Sequence, residues 1–189
     1  MKTLSLNILD IVQNSVRAKA DEISIEIDES ETSDKYLITI TDNGTGIPGE
    51  ILETVTDPFV TTRTRRRMGL GLPLLKYHAE LTGGHIEIAS EPGKGTKVIA
   101  ALSYSHIDRQ PLGDITGVLK ILIAANPGIS LNYSHSTDNG EYSFNTTETK
   151  EYLEVDSLNN MGLLDEIKEM INENLKTINA SGVQLRATF

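Results

Sequence analysis

The chain has 189 residues, 38% hydrophobic and 23% charged, with a formal net charge of −10 at pH 7. That length allows one domain, or one with a smaller appendage, and the composition is that of a globular chain. The absence of cysteine excludes disulfides, thiolate metal sites and a cysteine nucleophile, and so acidic a surface disfavours nucleic acid and anionic membranes as partners. The longest apolar run, Val118 to Ala125, is broken by Lys120 and is too short to span a bilayer. Asn7 and Asp10 fall where a signal peptide needs apolar continuity, so a cytoplasmic location is expected.

Taken in chain order, residues from about Ser5 to Ala18 read as a helix. Its apolar or small face comes from Ile8, Leu9, Ile11, Val12, Ser15 and Val16. On the same helix Asn7, Asp10, Asn14 and Arg17 are spaced to form one narrow polar stripe. Glu22 to Asp28 alternates with period two and reads as a half-buried strand; a loop from Glu29 to Lys35 leads to a second strand, Tyr36 to Thr41. Pro48 suits the first turn of a short helix from Gly49 to about Val55. A longer helix begins near Gly71 and stops at Gly83-Gly84. Strands at His85 to Ser90 and Thr96 to Tyr104 flank the turn Glu91-Pro92-Gly93-Lys94-Gly95.

After Ser105 the composition shifts. Asp114 to Ala125 reads as an apolar helix stopped by Asn126-Pro127-Gly128. Ile129 to Ser136 and Glu141 to Thr146 flank the hairpin signal Asp138-Asn139-Gly140, and a last helix runs from about Leu163 to Ile178. The expected fold class is α+β: a two-layer sandwich with a mixed sheet covered by helices on one face, residues 1–105, followed by a small α+β appendage, residues 106–189. The apolar helix of the appendage must be buried against the first unit or against a second copy, which leaves a homodimer open.

Four motifs within the first hundred residues carry chemistry when taken together. The stripe offers Asp10 and Asn14 one turn apart: an amide oxygen suits a divalent cation held by phosphate, a carboxylate one turn earlier can orient a nucleophile, and Arg17 can reach a phosphate. A solvated helix face is the alternative for the stripe alone. Asp42, at the end of a strand with Gly44 and Gly46 beside it, can accept the exocyclic amine of adenine, where guanine presents a carbonyl. Gly69-Leu70-Gly71-Leu72 opens a helix whose N-terminus favours phosphate. Before it stand Thr61, Thr62 and Arg63, Arg65, Arg66 and Arg67, which either clamp phosphates or dock an acidic partner.

These residues, from Ser5 to about Tyr104, resemble the ATPase superfamily shared by DNA gyrase B, the heat-shock chaperone ATPases, mismatch-repair ATPases and histidine kinases. The resemblance implies ATP with Mg2+ as cofactors. It implies Asn14 as the magnesium ligand, Arg17 as a phosphate contact and Asp42 as the adenine-reading carboxylate, with Gly44 and Gly46 beside it. Phe59 would anchor a flexible lid that also carries Thr62, and Gly69, Leu70, Gly71 and Leu72 would form its phosphate-binding end. Thr96 would close the adenine side through its hydroxyl or a bridging water. Asp10 stands where hydrolytic members and anti-sigma-factor kinases usually carry Glu and histidine kinases usually carry Asn; one methylene shorter than Glu, it implies weak catalysis at best. Only nine residues precede Asp10, so no two-helix phosphoacceptor region is expected, and His78, His85, His106 and His135 read as surface or packed histidines.

Three functions follow from the resemblance. One is an ATP-dependent protein kinase, a transferase in signal transduction, that acts on a separate protein partner. The second is a nucleotide-sensing regulatory module, in which ATP or ADP exposes a partner surface with little or no catalysis. The third is a slow ATPase.

Overall fold

The computed structural model describes residues 3–52, 55–56 and 71–182. Helix α1 (Leu4–Arg17) is followed by strands β1 (Glu22–Ser30) and β2 (Lys35–Asp42) and by the short α2 (Gly49–Leu52). Then come α3 (Gly71–Leu81), β3 (His85–Glu91) and β4 (Gly95–Ser103). The remainder contributes α4 (Ile115–Ala125), β5 (Ser130–Thr137), β6 (Gly140–Asn145), α5 (Thr146–Leu153) and α6 (Met161–Thr177).

The strands form a single six-stranded sheet in the order β3-β4-β2-β1-β5-β6. β1 and β5 run parallel, and the other neighbours pair antiparallel. Period-two alternation sends Ile23, Ile25 and Ile27, Ile38 and Ile40, Val98 and Ala100, and Leu131 and Tyr133 to one buried face. Against it α1 sets Leu4, Ile8, Ile11 and Val12, α3 sets Leu75 and Ala79, α4 sets Ile115, Leu119 and Leu122, and α6 sets Leu164, Ile171 and Leu175, in one contiguous core. The opposite face carries Glu26, Thr39 and Ser134 and is at least partly open. The chain is therefore α+β with a mixed sheet and helices on one face.

Residues after Ser105 do not build a sheet of their own. β5 adds to β1 from Glu22↔Ser130 through Asp28↔Ser136, and β6 pairs with β5. The segment leading to α4 also serves α1: Thr3 provides no side-chain cap, and the first-turn amides of Leu4 and Ser5 donate to the carbonyls of Pro111 (3.0 Å) and Leu112 (2.8 Å). Ion pairs Lys120–Asp165 and Lys168–Asp114 tie α4 to α6.

A buried polar network locks the junction. Glu29 on β1 is 4% exposed and His135 on β5 is 0% exposed. Glu29 Oε1 accepts from His135 Nε2 at 3.0 Å and from the Ser181 amide at 2.5 Å, while the Tyr133 hydroxyl meets His135 Nδ1 at 2.8 Å. A carboxylate only accepts, so His135 donates through Nε2, and the Tyr133 hydroxyl lies against its other ring nitrogen. Burial alone would push the Glu29 carboxyl up, but the hydrogen bonds from His135 and Ser181 outweigh it and hold its pKa below the ordinary glutamate value.

One helix, α5, lies outside the elements that the sequence periodicity predicts. Its signal is Asn145 followed three residues later by Glu148: Asn145 Oδ1 accepts from the amides of Thr147 and Glu148 and starts the helix. The loop expected at Glu29 to Lys35 is also shorter, because β1 and β2 pair as far as Ser30↔Lys35.

Candidate functional site

Asp10, Asn14 and Arg17 lie along α1 as the spacing requires. The Arg17 guanidinium donates to Asn14 Oδ1, so the amide oxygen already faces positive charge. Asp10 packs on the start of α3: a Cβ built on Gly71 would fall 2.2 Å from Asp10 Oδ2. Gly71 is thus the residue that lets the carboxylate approach the first turn of α3, and Leu72, 8% exposed, plugs into the core beside it.

Asp42 ends β2 facing α1 and is 9% exposed. Two donors fix its carboxylate: Ser15 Oγ gives a hydrogen bond to Oδ2 at 2.6 Å and the Gly44 amide gives one to Oδ1 at 2.9 Å. Thr96 is the cross-strand neighbour of Asp42, and Ser90 that of Thr96. Ser90 Oγ lies 2.9 Å from Thr96 Oγ1 and 2.9 Å from the Gly95 carbonyl, and accepts from the Ile47 amide at 2.8 Å. If Ser90 donates its one hydrogen to Gly95, Thr96 donates to Ser90 and keeps acceptor capacity for a further donor. Asp42, Thr96 and Ser90 therefore form a polar row across three strands, with Ser15 of α1 set on it.

The loop after Asp42 is stitched down on both sides. The Thr45 amide donates to the Ala18 carbonyl, Gly93 donates to the Thr45 carbonyl, and Asn43 Oδ1 accepts from the Asp21 and Glu22 amides. The glycines permit this self-approach: a Cβ on Gly44 would lie 2.8 Å from the Ala18 carbonyl oxygen, and one on Gly46 would lie 2.2 Å from that of Glu91. Gly46 also has φ +68°, a conformation costly for other residues. Gly46→Ala is accordingly expected to cost more than about 2 kcal/mol of stability, read from the urea midpoint; an unchanged midpoint would show that the loop is not held against Glu91.

Asp10, Asn14, Arg17, Asp42, Gly44, Gly46, Gly71, Leu72 and Thr96 therefore belong to α1, α3 and the sheet ends that adjoin them. Phe59, Thr62, Gly69 and Leu70, with the arginines at 63 and 65–67, lie outside the described residues. Ser15 and Ser90 carry no polar-site signal in the sequence, because serine at a core-facing helix position or in a strand is locally ordinary. Among the described residues no group of three or more His, Asp or Glu side chains is placed to hold a metal ion. Asn14 Oδ1, which accepts from Arg17, is a neutral oxygen of the kind a divalent cation takes as a ligand, and on that chemistry the site fits such a cation. A small cavity of about 10 Å³ on the other flank of α1, lined by Val12, Val16, Leu122, Pro127 and Leu158, has room for about one water and takes no part in this chemistry.

A family model described as histidine kinase-, DNA gyrase B-, and HSP90-like ATPase matches residues 2–106. The CAI-1 autoinducer sensor kinase/phosphatase CqsS of Vibrio cholerae is 30% identical over 146 residues, which are 75% of this chain and 21% of that protein. The sensor protein SrrB of Staphylococcus aureus is 40% identical over 100 residues, 49% of this chain and 17% of that protein. The chain thus spans about a fifth of the length of these curated relatives. A solved structure of the N-terminal domain of a DNA repair protein covers 77% of this chain and 52% of its own, with 20% identity and a TM-score of 0.47.

Proposed function

The chain belongs to the histidine kinase-, DNA gyrase B- and HSP90-like ATPase family, and from that premise we propose that its ATP is held between α1, α3 and the loop after β2, with phosphoryl transfer to a separate protein as the outcome. The observation that supports this reading is that α1 links both parts of the region: its Ser15 bonds Asp42, the cross-strand neighbour of Thr96, and its Asp10, one turn before Asn14, packs on Gly71 at the start of α3. In it Asp42 accepts the adenine amine, Thr96 accepts a bridging water, and the start of α3 with Gly71 faces the phosphates. Asn14 supplies the neutral ligand to Mg2+, and Arg17 exchanges Asn14 for a phosphate oxygen. When bound, Mg2+ neutralises the triphosphate and polarises the transferring phosphoryl group.

Asp10 orients the attacking group, directly or through a water. Its contact with Gly71 favours a second reading, in which the carboxylate mainly positions α3 and the domain senses nucleotide with little turnover. A slow ATPase is the third. The relatives' names, sensor kinase/phosphatase and sensor protein, favour a role in signal transduction with a protein partner; the location is proposed as cytoplasmic, and among the described residues no helix is long and apolar enough to cross a membrane.

Asn14→Ala is expected to abolish most of the difference between ATP affinity measured with Mg2+ and with a chelator, while leaving chelator-only affinity within about two-fold. A magnesium effect that survives intact would move the metal ligand elsewhere. Transfer of labelled γ-phosphate to a candidate partner separates the kinase reading from the sensor and ATPase readings.

A further inference from the structure

We propose that Ser15 is a specificity-determining positioning residue: its hydroxyl orients Asp42 so that the site prefers an amino group over a carbonyl at position 6 of a bound purine. This rests on the ATP reading of Asp42. Ser15 is 3% exposed and sits on the helix face turned to the sheet. A helical serine often returns its hydrogen to the carbonyl one turn earlier, whereas Ser15 Oγ donates across the layer to Asp42 Oδ2 at 2.6 Å. The Gly44 amide holds the other oxygen at 2.9 Å, so the carboxylate cannot rotate without losing a buried bond. Each carboxylate oxygen has acceptor capacity beyond these donors. The fixed plane thus presents acceptors only, which matches the two hydrogens of a 6-amino group and opposes the lone pairs of a 6-oxo group.

Inosine triphosphate tests this effect: it carries the same ribose and triphosphate, with a 6-oxo group in place of the 6-amino group and an N1 hydrogen where adenine has an acceptor. Titration calorimetry with ATP and with inosine triphosphate, both with Mg2+, is applied to the full chain, Ser15→Ala, Ser15→Thr, Asp42→Asn and the Ser15→Ala/Asp42→Asn double variant. Ser15→Ala is expected to weaken ATP about ten-fold and inosine triphosphate less than about two-fold, and Ser15→Thr, which keeps the hydroxyl, to restore much of the ATP preference. The double variant is expected to bind no more weakly than Asp42→Asn, since Ser15 acts through that carboxylate. Equal losses for both nucleotides, or a double variant showing both penalties in full, would overturn the proposal while leaving the ATP site standing. An unaltered nucleotide ratio in Ser15→Ala would do the same. Failure of the unaltered chain to prefer ATP over inosine triphosphate would overturn the reading of Asp42 and this proposal with it.

Discussion

A chain ending at Ser105 is expected to lose cooperative unfolding rather than to behave as a weakened ATP-binding unit. The cut removes the strand paired with β1 over the whole stretch Glu22–Asp28 and leaves β1, with Ile23, Ile25 and Ile27, as a bare edge. It also strips the carbonyls of Pro111 and Leu112 from the first turn of α1, the helix that carries Asp10, Asn14 and Ser15. The buried side chains Leu119, Leu122 and Tyr133 go with it. Losing even two such residues costs about 4 kcal/mol or more, a large share of the 5–15 kcal/mol typical of a domain. Thermal denaturation followed by far-ultraviolet circular dichroism checks this. A sharp transition in the shortened chain would mean that residues 1–105 fold alone and that β5 merely decorates them.

Replacing Glu29 with alanine is the second large effect. The change leaves the His135 Nε2 donor and the Ser181 amide facing a cavity where the carboxylate stood. A buried donor left without its acceptor costs about 1–3 kcal/mol, and two are left here. The same carboxylate sets an acid dependence. Its pKa in the folded protein lies below its unfolded value, so the folded state binds the proton less readily. The stability it confers is fully present above the ordinary glutamate range. It is lost as the pH falls from about 4 downward, through the lowered folded value. Glu29→Ala is therefore expected to lower the urea midpoint at neutral pH and to flatten the fall in stability on acidification. A variant that tracks the parent's acid profile point for point would show that other carboxylates govern it.

Local periodicity made most elements readable. The three- and four-residue spacing of Asn7, Asp10, Asn14 and Arg17 places them on α1, and alternation around Ile23–Ile27 and Tyr36–Ile40 marks the paired strands. The position of Asp42 at a strand end was legible for the same reason. Long-range pairing was not. Ser15 and Asp42 are 27 residues apart and Glu29 and His135 are 106 apart, so neither partner announces the other. The parallel addition of β5 to β1 is equally non-local: the hairpin Asp138-Asn139-Gly140 predicts that β5 and β6 pair, but not which edge they join. The start of α5 is hidden because Thr146 closes the strand pattern from Glu141, although Asn145 and Glu148 form a helix start. Gly44 and Gly46 stand out beside Asp42 in the sequence, but the chain segments they approach, Ala18 and Glu91, need the folded chain.

Residues 106–189 thus meet the first part of the chain at two places, through the β1–β5 pairing and through the carbonyls of Pro111 and Leu112 at the start of α1.

The most direct measurement is calorimetric titration of the full chain with ATP and Mg2+, beside Asp42→Asn under the same conditions. Saturable one-to-one binding by the parent and at least about ten-fold weaker binding by Asp42→Asn are expected, because the amide replaces a carboxylate that accepts from Ser15 and Gly44 and would accept from the adenine amine. Equal affinity in the two proteins, or no saturable binding by the parent, would contradict the ATP reading of Asp42.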